Sequence, residues 1–235
     1  MTAYVLVPGA GGAPWYWSRL VPLLHDAGMH VAVVDLPGDD PLVDLQGYVD
    51  RVVTVVREVR SLGPVVLVGQ SFGGFSAAAA ALVEPVDALV LLNAMVPAPG
   101  ESGAAWWKAV GQAEARREAE HDAGREPARP FDPMEVFFHD APPDVVAESA
   151  DHDREQSDLA FTSPWPGDRW PDVPTTVLVA DDDRLFPPVL QERVARERLG
   201  LGVVHVPGGH LNALTRPHEL ARALLTVNHE DEVGR

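Results

Sequence analysis

No cysteine occurs among the 235 residues, which excludes disulfide scaffolds, thiolate metal sites and cysteine nucleophiles together. Lysine is almost as scarce, Lys108 being the single one. With 18 basic against 35 acidic residues the formal charge is −17, and no basic cluster offsets it. Nucleic acid backbones and anionic membrane surfaces would be repelled, so neither is an expected partner. No apolar run approaches the roughly 20 residues needed to cross a bilayer; the alanine-rich stretch from Ala77 to Val83 is far too short. Met1 leads directly into an apolar stretch, with no basic segment before it and no small-residue cleavage site after it. A secretory leader is therefore not expected, and a cytoplasmic location is.

What the chain does have is 46% hydrophobic residues, enough for one α/β domain with a sizeable core. Short β-branched runs read as strands: Ala3 to Val7, Val31 to Val34, Val65 to Val68, Ala88 to Leu92, Thr176 to Val179 and Val203 to Val206. Between them lie stretches with helical spacing or composition: Trp15 to Ala27, Asp44 to Ser61, Gly73 to Glu84, Pro187 to Leu199 and Pro217 to Asn228. Strands apolar on both faces and alternating with helices predict a doubly wound, mainly parallel sheet. The alternation fails from Met95 to Asp172, a length that needs structure of its own. We expect residues 1–94 and 173–235 to form the core, and residues 95–172 a mostly helical cap over the carboxyl edge of the sheet. Most of the cap's aromatics are expected to form its own core and its contact with the main domain.

Gly69-Gln70-Ser71-Phe72-Gly73-Gly74 carries the strongest chemical signal, directly after one strand and directly before the alanine-rich helix. A serine on so tight a turn adopts strained backbone angles and needs small neighbours, which Gly69 and Gly73 supply. The helix N-terminus that follows favours the negative charge developing in acyl transfer. Ser71 is thus the candidate nucleophile, and it requires a base. Of the nine histidines, His210 follows a strand through Pro207-Gly208-Gly209 at the same sheet edge. His205 alternates within that strand as a packed or edge residue. For His25, His30, His121, His139, His152, His218 and His229 a solvated surface position is the default.

An orienting acid should end another strand at this edge, where Asp181-Asp182-Asp183 follows Thr176 to Val179. Asp183 is expected, judged by its spacing from Pro187, which starts the next helix; Asp181 and Asp182 would shape the turn or face water. The order Ser, Asp, His suits this strand arrangement. An oxyanion hole needs two backbone amides. One belongs to Phe72, the residue after the nucleophile, and the other to the loop Pro8-Gly9-Ala10-Gly11-Gly12. A dinucleotide reading of that loop is the rival, since it too follows a strand and precedes a helix, and it is disfavoured because the loop lacks the G-x-G-x-x-G spacing and is crowded by Pro14, Trp15 and Trp17.

With these residues the chain resembles the α/β-hydrolase superfamily over nearly its whole length, apart from the cap. Pro8-Gly9-Ala10 followed by Trp15-Tyr16-Trp17 is similar to the plant methylesterase and hydroxynitrile lyase branch and its bacterial relatives, in which His-Gly-Ala precedes Trp-x-Trp. The turn Asp35-Leu36-Pro37-Gly38 also matches the family. The resemblance implies that Ala10 and Phe72 donate the oxyanion amides and that Asp183 and His210 complete a triad with Ser71. Pro8 and Gln70 stand where the branch usually has histidines. Lyase members carry threonine where this chain has Gly9, and lysine where it has Leu211, so the esterase reading is favoured.

A cofactor-independent, metal-free carboxylic ester hydrolase is therefore expected, its partner a small apolar or aromatic ester. Gly9, Trp15, Trp106, Trp107, Phe137, Phe138 and Leu211 are the candidate pocket residues. A thioesterase, lactonase, amidase or acyltransferase would use the same triad. A ligand-binding protein of this fold with little turnover is the alternative from another class.

Overall fold

Among the described residues the β-branched runs form six parallel strands: β1 (Ala3–Val7), β2 (His30–Val33), β3 (Val65–Gln70), β4 (Ala88–Leu92), β5 (Thr175–Ala180) and β6 (Val204–Val206). The computed structural model describes residues 1–125 and 131–233, with side chains as far as Val227. The strand order is β2-β1-β3-β4-β5-β6, with every neighbouring pair parallel. Because the chain steps from β1 outward to β2 and then back across to β3, the winding reverses between β1 and β3. The loops leaving those two strands part there and open a crevice at their carboxyl ends.

Each face of the sheet has its own apolar layer. Ala3, Val5 and Val7 point to one side, with α2 (Leu45–Val59) and α3 (Gly73–Val83), while Tyr4 and Leu6 point to the other, with α1 (Val21–Asp26). All five side chains of β1 are fully buried, at about 1.5–3 kcal/mol of hydrophobic stabilisation for each large one. Helix α2 begins where the Asp44 carboxylate accepts from the Gly47 amide at 3.0 Å, a cap worth about 1 kcal/mol. Its Leu45, Tyr48, Val49, Val52 and Val56 then repeat at helical spacing and are buried against β1 and β3.

One expected helix is two elements. Residues Trp15 to Ala27 contain a 3₁₀ turn, Pro14–Trp17, and then α1. Pro22 has no amide to bond back to Ser18, so the helix starts afresh with Pro22 in its first turn.

Between β4 and β5 the chain forms α4 (Gly103–Ala109), α5 (Gln112–Asp122), α6 (Pro133–Val136), α7 (Pro143–Ser149) and α8 (Asp158–Thr162). These helices are too short to enclose a core of their own. Trp106, Val110, Val136, Ala160 and Trp165 instead join the apolar layer of α2 and α3, and the Trp165 indole donates to the Phe75 carbonyl at 3.0 Å. After β5 come α9 (Pro188–Leu199), α10 (Asn212–Thr215) and α11 (Pro217–Val233).

Candidate active site

Ser71 sits on the turn between β3 and α3 with φ of +51°, a left-handed conformation that costs a non-glycine residue energy and persists only when its surroundings hold it. They do hold it: the Ser71 amide donates to the Leu92 carbonyl at 3.2 Å, and its carbonyl accepts from Gly74 and Met95 at 3.0 Å each. Close packing explains the glycines around it. A Cβ on Gly69 would lie 2.8 Å from that of Ala77, and one on Gly73 would lie 2.4 Å from the Pro8 carbonyl oxygen. Helix α3 starts two residues beyond Ser71, so its N-terminal dipole end faces the hydroxyl's surroundings.

His210 Nε2 lies 3.0 Å from Ser71 Oγ, and His210 Nδ1 lies 2.8 Å from Asp183 Oδ2. With its proton on Nδ1, the imidazole donates to Asp183 and accepts from the serine hydroxyl, the tautomer this bonding pattern selects. Asp183 is buried where Asp181 and Asp182 are exposed. A buried carboxylate is costly unless donors meet it. Asp183 Oδ1 accepts from the Leu185 and Phe186 amides at 2.9 Å each, and Oδ2 accepts from Gln191 Nε2 at 3.1 Å as well as from His210.

The loop carrying His210 is fixed from beneath. Its carbonyl oxygen accepts from Asn93 Nδ2 at 3.3 Å and from Gln70 Nε2 at 3.4 Å. Asn93 is fully buried, has φ of +46°, and accepts the Ala180 amide at 2.8 Å. Asn93 thereby ties the ends of β4 and β5 to the His210 loop. Neither Asn93 nor Gln191 is conspicuous in the sequence. A lone polar residue directly after the apolar run of β4, at the edge where Ser71 lies, was the one available sign of Asn93.

A cavity of about 500 Å³ opens over Ser71. Ala10 and Phe72 line it, together with Gly9, Trp15, Trp107, Phe137, Phe138 and Leu211. Trp106 does not: its side chain is buried beneath the cavity wall against Phe186, with its indole donating to the Val96 carbonyl at 3.0 Å. Tyr16, Met95, Phe131, Phe161 and Phe186 complete the apolar wall. Burial pushes the Tyr16 phenol well above its usual range, so that wall carries no charge there. Polar groups enter from one stretch of the segment between β4 and β5, where Ser149, His152, Asp153, Arg154, Gln156 and Asp158 line the cavity. Gln156 Oε1 accepts from the Gly11 amide at 3.0 Å and so braces the loop after β1.

The other histidines divide. His25, His121 and His218 are exposed, His30 is half-buried, and His205 is half-exposed beside Asp181; the side chain of His229 lies outside the described residues. His152 is exposed and stacks on Trp15 with ring centroids 5.1 Å apart. His139 departs from the expected solvated position, its side chain being 5% exposed and bonded to the Asp182 carbonyl at 3.1 Å. Among the described residues no group of three or more His, Asp or Glu side chains converges as a metal site, and no helix is long and apolar enough to cross a membrane.

The chain is similar to several known proteins. An α-hydroxynitrile lyase of Arabidopsis thaliana is 36% identical over 103 residues, 40% of this chain and 40% of the lyase. A polyneuridine aldehyde esterase of Rauvolfia serpentina is 33% identical over 108 residues, 42% of this chain and 41% of the esterase. The chain is thus aligned with about two-fifths of the length of these relatives. The crystal structure of a pyrethroid hydrolase from Sphingobium faniae JZ-2 superimposes with a TM-score of 0.71 at 24% identity, covering 98% of this chain and 99% of that one. Residues 4–223 match the alpha/beta hydrolase family, and with this sheet order and a serine at the end of β3 the chain belongs to that family.

Proposed function

We propose that this chain is a cofactor-independent serine hydrolase that cleaves a small apolar or aromatic carboxylic ester. The observation that carries the reading is the unbroken relay from Ser71 Oγ through His210 to Asp183, at 3.0 and 2.8 Å, on the floor of an aromatic-walled cavity.

Each component has a task. Ser71 Oγ attacks the ester carbonyl carbon while its proton passes to His210 Nε2. Asp183 holds the imidazole in the correct tautomer and stabilises the cation that forms. The negative oxygen of the tetrahedral intermediate is met by the Ala10 and Phe72 amides, each worth about 3 kcal/mol to the transition state. The intermediate then collapses: the alcohol departs with the proton from His210 and leaves Ser71 acylated. Water, deprotonated by the same imidazole, releases the carboxylic acid.

Support for an ester comes from the relative named as a polyneuridine aldehyde esterase. A lyase reading is disfavoured by two residues. Leu211 puts an apolar side chain into the cavity directly after His210, where lysine stands in the lyases. A Cβ on Gly9 would come 2.8 Å from Ser71 Cβ and 2.5 Å from Gln70 Oε1, so a threonine cannot be seated there without moving the nucleophile.

The test is hydrolysis of a series of p-nitrophenyl and aryl-acyl esters beside the matching thioesters, lactones and cyanohydrins, with an added alcohol competing against water. Saturable ester hydrolysis that favours aryl over long alkyl groups is expected. Cyanohydrin cleavage without ester hydrolysis would overturn the reading.

A further inference from the structure

Two adjacent cap residues grip the two loops that carry the acid and the base, each at the position immediately before the functional side chain. His139 bonds the carbonyl of Asp182 at 3.1 Å, and its Nδ1 lies 3.5 Å from the Asp182 carboxylate. Asp140 Oδ2 accepts from the Gly209 amide at 3.2 Å and from Thr215 Oγ1 at 2.8 Å. The same oxygen lies 3.9 Å from Arg216, and the Asp140 side chain is 10% exposed. Asp183 and His210 are the next residues along. The rest of this cap stretch reinforces the pattern: Arg184, on the far side of Asp183, donates to the Glu135 carbonyl at 3.3 Å, and the Phe137 ring packs on the His210 ring at 5.6 Å.

The glycines before His210 are what allow the grip. A Cβ on Gly209 would come 2.7 Å from His139 Nε2 and 3.2 Å from Asp140 Oδ1. Gly208 has φ of +100° and would bring a Cβ 3.3 Å from Asp140 Oδ2. The two loops are also bonded to one another, with the Asp182 amide donating to the Gly208 carbonyl at 3.0 Å. Seen from His210, Asn93 and Gln70 hold the loop from the sheet side and Asp140 holds it from the cap side.

We propose that Asp140 is a positioning residue that sets the His210 loop against Asp183, with His139 fixing the acid loop to the same cap segment. The assignment rests on the serine hydrolase reading for its catalytic consequence, but the geometry it claims does not depend on turnover. A 1 Å displacement of a catalytic group is enough to lower a rate roughly hundredfold. Asp140 therefore acts on kcat more than on KM, because it touches neither the cavity wall nor the reacting atoms.

Asp140→Ala, Asp140→Asn and His139→Ala are compared with the wild type by ester kinetics, by fluorophosphonate labelling rate and by the downfield proton resonance of His210 Nδ1–H. Asp140→Ala is expected to lower kcat and labelling by roughly tenfold to hundredfold with little change in KM, and to broaden or abolish the resonance. Asp140→Asn keeps an acceptor for the Gly209 amide and should restore most of both. Should Asp140→Ala fail to fold, His139→Ala carries the comparison, with a smaller loss in the same direction. A folded Asp140→Ala with wild-type kcat and an unchanged resonance overturns the assignment, as does an Asp140→Asn that behaves like Asp140→Ala. If the wild type neither hydrolyses esters nor is labelled, the hydrolase reading fails. The positioning role is then judged on the resonance alone, by its presence in wild type and Asp140→Asn and its loss in Asp140→Ala.

Discussion

Asn93 reaches from the end of β4 to the carbonyl oxygen of His210, 3.3 Å away, while its own side-chain oxygen takes the Ala180 amide at 2.8 Å. One buried amide thus joins two strand ends to the loop that bears the proposed base. Asn93→Ala should leave the Ala180 amide unpaired and the His210 carbonyl with the Gln70 bond alone, at about 1–3 kcal/mol for the buried orphan, and adds the cost of an alanine in a left-handed conformation. Denaturant unfolding should register about 3 kcal/mol of lost stability. Asn93→Gly removes the strain but not the orphaned Ala180 amide, so it should recover only part of the loss.

Gly9 and Ser71 are in such close approach that a side chain at position 9 has no room. Gly9→Thr should abolish ester hydrolysis and confer no cyanohydrin cleavage, since the new side chain displaces Gln70 and Ser71 rather than serving a substrate. Kinetics on both substrate classes check this. Circular dichroism separates local displacement from loss of fold.

All three tyrosines of the chain are raised by burial: Tyr4 to about 12, Tyr48 upward, and Tyr16 furthest. Unfolded phenols lose their protons near pH 10, whereas the folded ones hold them. The resulting contribution to stability is complete below about pH 10 and declines as the pH rises beyond it, because the unfolded state then binds fewer protons. An alkaline titration followed at the tyrosinate band should therefore show little absorbance near pH 10. It should rise with the loss of near-ultraviolet circular dichroism, in one cooperative step.

The strands were legible because each is a short run of β-branched residues between polar or glycine-rich breaks; Ala3–Val7 and Ala88–Leu92 have the expected limits. The turns bearing Ser71 and His210 were legible through their glycines, which stand where a Cβ would meet neighbouring chain, since close approach leaves a trace in composition. Asp183 could be preferred over its neighbours by spacing, and in the structure it is the buried one of the three. Less was legible between β4 and β5. Trp106 and Trp107 are adjacent and identical in type, yet only Trp107 lines the cavity, a difference set by the direction of a short helix. His139 resembles any other polar histidine until the Asp182 loop is folded against it. Gln191 reaches back eight residues from the following helix to Asp183, and Asn93 meets His210 at a separation of 117. No local pattern encodes such a pairing.

His210, in the reading proposed above, activates Ser71 as a nucleophile. The most direct measurement of this activation is covalent labelling of the intact protein by a fluorophosphonate, with the modified residue mapped by mass spectrometry in wild type, Ser71→Ala and His210→Ala. One label per chain is expected, on Ser71, absent from Ser71→Ala and slowed at least about hundredfold in His210→Ala. A folded wild-type protein that takes no label, or takes it elsewhere, would contradict it.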